Sequence, residues 1–146
     1  MKNAIYISLC LSILSCSNIK STFSNDTLDL NNKTTKYTLN KLKATDKNKS
    51  ILFLTAWFEK DTIQIKNGKS VLYNEPGNTI AQLSLTTIQV VENDEKIEVN
   101  VLSKEPTKIV LNTEKVKSHK FIYISRDLDN RRKYLVEYTN QSRSFK

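Results

Sequence analysis

The chain has 146 residues, of which 38% are apolar and 26% charged, and it carries a formal net charge of +8 at pH 7. That is one domain's worth of sequence, too polar for a polytopic membrane protein and too apolar for a charge-dominated disordered chain. The basic excess is scattered and accompanied by no RNP-like aromatic motif, helix-turn-helix pattern or zinc-finger spacing, so it reads as a solvated surface and no nucleic-acid partner is expected.

Residues 1–16 read MKNAIYISLCLSILSC. Lys2 is a positive n-region, and residues 4–14 form an uncharged, mostly apolar run. It has the length of a signal-peptide h-region and is too short to cross a bilayer. Ser15 is small, as a peptidase requires beside its cut. The stretch Ile13-Leu14-Ser15-Cys16 resembles the lipobox of bacterial lipoprotein signal peptides: aliphatic, variable, small, then cysteine. The resemblance implies cleavage between Ser15 and Cys16, a diacylglyceryl group on the Cys16 sulfur, and acylation (palmitate or a similar chain) of the new amino group. Two further observations agree. No A-x-A-like site lies close downstream. Cys10 leaves with the apolar run, so Cys16 is the only cysteine of the mature chain, where an unpaired thiol in a secreted domain is odd. The lipid bilayer is therefore an expected partner, since several acyl chains hold a protein durably. Ser17 lacks the Asp that marks inner-membrane retention, which favours the outer membrane or cell surface. The alternative is an ordinary secretory signal releasing a soluble β-domain, with Cys16 incidental.

Residues 17–50 are rich in Ser, Thr, Asn, Lys and Asp, and their apolar residues keep no sustained period. Such a composition favours a flexible tether, with a coil reach of roughly 30 Å. The expected organisation is a signal peptide at 1–15, a lipidated Cys16 and polar tether at 16–50, and a domain at 51–146. The lesser alternative docks residues 27–30 or 36–42 on the domain as an edge strand or short helix.

From Ile51 the texture changes to short strands. Residues 51–58 (ILFLTAWF) are apolar enough to be buried on both faces. Residues 62–66 (TIQIK) and 70–73 (SVLY) flank Asn67–Gly68, a strong hairpin signal. Residues 79–91 read as one bent strand or two. Residues 96–102 alternate, with Ile97, Val99 and Val101 on one face. Residues 108–112, 120–125 and 133–139 complete the series, and the polar link 113–119 separates the first two of these three. About seven to nine short strands with regular turn signals predict an all-β fold, an antiparallel sandwich or small barrel.

Chemistry-bearing patterns are scarce. His119, the only histidine, sits in a polar KSHK link and reads as a loop residue. With no second histidine and no cysteine beyond Cys16, neither a thiolate–imidazole metal site nor a Cys–His pair is available, so no metal, cofactor or catalytic set is expected. Asp127 and Asp129 in DLDNRR read as a turn, as do Glu92, Asp94 and Glu95. The tripeptides Asp26-Thr27-Leu28 and Asp61-Thr62-Ile63 resemble the O-glycosylation sites of Bacteroidota envelope proteins, which makes Thr27 and Thr62 candidate acceptors. Phe121 and Tyr123 share one strand face, and Tyr134 and Tyr138 share another. Paired side by side they would form an aromatic ladder for a ligand, but the burial habit of aromatic side chains favours placing the same residues in the sandwich core.

Two functional readings follow. One is a membrane-anchored envelope lipoprotein presenting a small non-enzymatic β-domain to an envelope protein or glycan. The other is a small envelope hydrolase without a recognisable motif.

Overall fold

The structure is a computed structural model and describes residues 18–144; Ser15 and Cys16 lie outside that range. In chain order the elements are β1 (Ile19–Phe23), α1 (Lys33–Lys41), β2 (Lys49–Leu54), β3 (Thr62–Asn67), β4 (Ser70–Pro76) and β5 (Thr87–Glu92). They continue with β6 (Ile97–Leu102), β7 (Thr107–Val110), α2 (Thr113–Ser118), β8 (Phe121–Arg126) and β9 (Tyr134–Thr139). The strands form two sheets, β1-β9-β8-β2-β5 and β4-β3-β6-β7. They stack as an open sandwich and do not close into a barrel, so the all-β expectation holds.

The four-stranded sheet is antiparallel throughout. β3, β6 and β7 alternate: Ile63, Ile65, Ile97, Val99, Val101 and Ile109 point inward, while Gln64, Lys66, Glu98 and Asn100 point outward. This is the pattern of a sheet with one wet face. The five-stranded sheet differs. β2 runs parallel to β8, β1 runs parallel to β9, and the other pairs are antiparallel. Leu52, Leu54, Ile122, Ile124, Tyr134, Val136 and Tyr138 form the inter-sheet core. Ile51, Phe53, Phe121 and Tyr123 project from the other face into a second cluster with Leu39 and Ala44. Burial on both faces explains why β2 reads as continuous apolar sequence rather than alternation.

The second cluster exists because α1 covers it, and this corrects the expected tether at 16–50. Over residues 18–50 the chain belongs to the folded unit. Asn32 caps α1, its Oδ1 accepting from Thr35 N–H at 3.1 Å. The helix buries Thr35 and Leu39 and ends in a Schellman-type turn: Ala44 N–H donates to Leu39 O, and Lys43 N–H to Asn40 O. β1 joins the sheet through its backbone ladder with β9; of its five side chains only Ile19 is partly buried. Polar composition conceals both elements, since one contributes a stripe of two or three residues and the other contributes mainly main-chain hydrogen bonds.

Other boundaries also move. β2 ends at Leu54, and Trp57 and Phe58, expected on that strand, lie in the loop that follows. Residues 79–91 supply only β5, preceded by a tight reversal in which Ile80 bridges Leu85. The polar link at 113–119 is the short helix α2, capped by Asn112. The hairpin between β3 and β4 is as expected, with Gly68 at φ 57°.

Candidate functional site

The strand directions gather one set of loops at a single end of the sandwich. It comprises residues 55–61, 103–106 and 127–133 together with Asn18, whose carbonyl accepts from Tyr134 N–H at 2.7 Å. At its centre Arg126, the last residue of β8, meets Asp61, the residue before β3. Arg126 Nη2 lies 2.7 Å from Asp61 Oδ2, and both side chains are nearly buried. The same Nη2 donates to the Tyr134 hydroxyl at 3.0 Å. The guanidinium also lies over the rings of Phe58 and Tyr134, at 5.8 and 5.4 Å from their centroids. Arg126 Nε has no hydrogen-bond partner. Asp61 is positioned in turn by Gly77, whose N–H donates to the Asp61 carbonyl at 2.6 Å. A Cβ at Gly77 would collide with the Phe58 carbonyl oxygen and lie 2.7 Å from Ile63 Cδ1.

Two depressions flank this ion pair. One, of about 390 Å³, is lined by Asn18, Lys104, Arg126, Arg131, Arg132 and Tyr134 among others. Of these, Arg132 pairs with Glu105 at 2.8 Å. The other, of about 420 Å³, is lined by Trp57, Leu128 and Leu135 with Arg126, Asp127 and Asp129. Trp57 has φ 77°, a left-handed conformation that costs a bulky residue about 1–2 kcal/mol. Trp57 remains 39% exposed, with the Arg131 guanidinium 5.9 Å from its ring centroid. Leu128, at 70%, is the most exposed large apolar residue described. Asp127 Oδ1 accepts from the N–H groups of Asp129 and Asn130, so DLDNRR is the turn its sequence suggested.

The four aromatics are core residues, as favoured, and the candidate binding ladder does not form. β8 and β9 are neighbours, but Ile122 stands opposite Tyr138 and Tyr123 opposite Glu137. Phe121 and Tyr123 therefore face α1, while Tyr134 and Tyr138 face the other sheet. All four are buried, and the three tyrosine hydroxyls reach polar partners at the margins: Arg143 N–H, Arg126 Nη2 and Asn112 N–H.

His119 is not a solvent-exposed loop residue but a buried one, at the opposite end. Its Nδ1 lies 2.7 Å from Lys115 O and its Nε2 2.9 Å from Ser24 O, which ties α2 to the chain after β1. Next to it Lys120 Nζ donates to the carbonyls of Asp46 and Lys49, and burial depresses its pKa. Thr27 is exposed. Its neighbour Asp26 accepts from Thr139 Oγ1 at 2.7 Å and from Asn140 N–H at 3.0 Å, so that carboxylate has a structural role of its own. Thr62 is half-buried in β3.

Among the described residues no group of His, Cys, Asp and Glu is arranged to hold a metal, and no helix is long and apolar enough to cross a membrane. No family model, curated protein or solved structure matches the chain. The Arg126–Asp61 pair and the exposed Trp57 had no sequence signal. An Asp before one strand and an Arg ending another become partners only when the two sheets stack.

Proposed function

We propose that this chain is a cell-envelope lipoprotein, held on the outer membrane or cell surface by a lipid on Cys16. Its sandwich is a non-enzymatic module for protein or glycan binding. The observation that carries the anchor is the Ile13-Leu14-Ser15-Cys16 stretch, followed within three residues by the first strand at Ile19.

Two features support binding over turnover. His119, the chain's one histidine, is buried between Lys115 O and Ser24 O, where it ties α2 to the chain after β1. A groove of about 270 Å³ runs between α1 and β5, walled by Leu42, Leu85 and Ile88, with Tyr37 exposed beside it. A sugar face or an apolar peptide side chain stacks well on such a ring.

The test of the anchor is Cys16→Ser in the native cell. The variant should carry no acyl group and accumulate as uncleaved precursor. Membrane retention with normal processing overturns the reading. Binding is checked by probing the mature protein against envelope glycans and peptides. A captured ligand should be lost in Tyr37→Ala and Ile88→Asp, and substrate turnover in the same assays would overturn the non-enzymatic reading.

A further inference from the structure

If Cys16 carries acyl chains, the folded state of residues 18–50 has a geometric consequence. A flexible tether would let the domain float clear of the lipid. Instead Asn18 is already fixed to Tyr134 by a 2.7 Å hydrogen bond. Two peptide units separate Cys16 from Asn18, and they span at most about 7 Å whatever their conformation. The end of the sandwich bearing Asn18 is therefore held against the headgroups.

That end has the chemistry of an interfacial surface. Trp57 and Leu128 are exposed on neighbouring loops around one depression, with Leu135 beside them. Tryptophan concentrates at membrane–water boundaries because its ring is apolar and its N–H polar. The strained left-handed backbone at Trp57 is retained although its ring is exposed, which points to a use for the ring in that place. Lys104, Arg131 and Arg132 stand around the adjoining cavity with Asn18, in reach of lipid phosphates. Of the acids at this end, Asp61 pairs with Arg126, Glu105 pairs with Arg132 and Asp127 accepts from its own turn, while Glu59 and Asp129 remain exposed.

We infer that the Trp57–Leu128 end lies directly on the bilayer that carries the Cys16 lipid, with these two side chains among the headgroups and Arg131 on lipid phosphate. The inference rests on the proposed lipidation of Cys16. It makes the domain a surface-apposed module with a fixed orientation, its α1 groove on the flank and its His119–Lys120 end facing away from the membrane.

Trp57 is the only tryptophan, so its fluorescence reports this contact without labelling. The lipidated full-length protein is reconstituted into phosphatidylethanolamine–phosphatidylglycerol vesicles, with and without brominated acyl chains. Trp57 emission should shift to the blue, lose intensity in brominated vesicles and become shielded from aqueous acrylamide. Leu128→Asp with Arg131→Glu should abolish all three effects while the protein stays on the vesicles and keeps its circular dichroism spectrum. If Trp57 stays open to acrylamide and untouched by bromine on vesicles that retain the protein, the apposition is overturned and the anchor stands. Shielding from acrylamide without bromine quenching identifies a protein neighbour and also overturns it. A mature chain whose Cys16 has an unmodified mass overturns both readings.

Discussion

Asn67 holds the backbone of Glu92 from both sides: its Oδ1 accepts from Glu92 N–H at 2.6 Å, and its Nδ2 donates to Glu92 O at 3.0 Å. Asn67 ends β3 and Glu92 ends β5, so one side chain ties the four-stranded sheet to the five-stranded sheet. Asn67→Ala leaves both backbone groups of Glu92 without these partners and should cost about 2 kcal/mol. Asn67→Asp keeps an acceptor but loses the donor, and should fall between Asn67→Ala and the parent. Urea unfolding midpoints read both.

At the other end, the Asp61–Arg126 pair makes the same kind of bridge with charge. Removing one partner strands the other in a nearly dry site, so Asp61→Leu or Arg126→Met alone should each cost about 3 kcal/mol. The double variant Asp61→Leu with Arg126→Met should cost much less than the sum of the singles. A double-mutant cycle checks this, and additive costs would show that the pair is not coupled.

Lys43 occupies the left-handed position after α1, at φ 53°, where the Schellman-type turn favours glycine. Its side chain is exposed, so little packing is at stake. Lys43→Gly should stabilise the fold by about 1 kcal/mol, raising the thermal midpoint. Because α1 covers the outer aromatic cluster, the gain should also appear as slower amide exchange across residues 33–44.

Acid should weaken the fold through two carboxylates. Lys96, at 2.5 Å, and Lys108, at 2.9 Å, lower the Glu98 pKa to about 2. For Asp26 burial works upward, but hydrogen bonds from Ser24, Thr139 and Asn140 outweigh it and hold the pKa below the ordinary value. A depressed folded pKa contributes stability that is complete above the unfolded value and is lost as pH falls through the folded one. Stability should thus decline between about pH 4.5 and 2, and Glu98→Gln with Asp26→Asn should flatten that decline. Denaturation midpoints from pH 5 to 2 measure it.

Side chains that alternate, or that run apolar because both faces are covered, were readable in advance. β3, β6, β8 and β9 begin within a residue or two of where their sequences place them, and Asn67–Gly68 marks its hairpin. The same local reading misjudged residues whose role depends on a distant partner. Trp57 reads as strand because it follows five apolar residues, yet the chain must turn there to bring Asp61 beneath Arg126. Phe121, Tyr123, Tyr134 and Tyr138 read as core and are buried, but strand periodicity says which residues share a face and not which face of the sheet that is. The β8–β9 register put the two pairs on opposite sides.

The sequence by itself determined the strand content, the hairpin and the Cys16 signature, because each rests on residues adjacent in the chain. Only the tertiary structure decided that residues 18–50 fold. β1 is held by backbone hydrogen bonds, which are blind to side-chain type, and α1 is stabilised by an aromatic cluster on strands that begin well after it. Their order is a property of the surface they meet rather than of their own composition. That order fixes the chain to the sandwich from Asn18 onward, where composition alone reads as a tether.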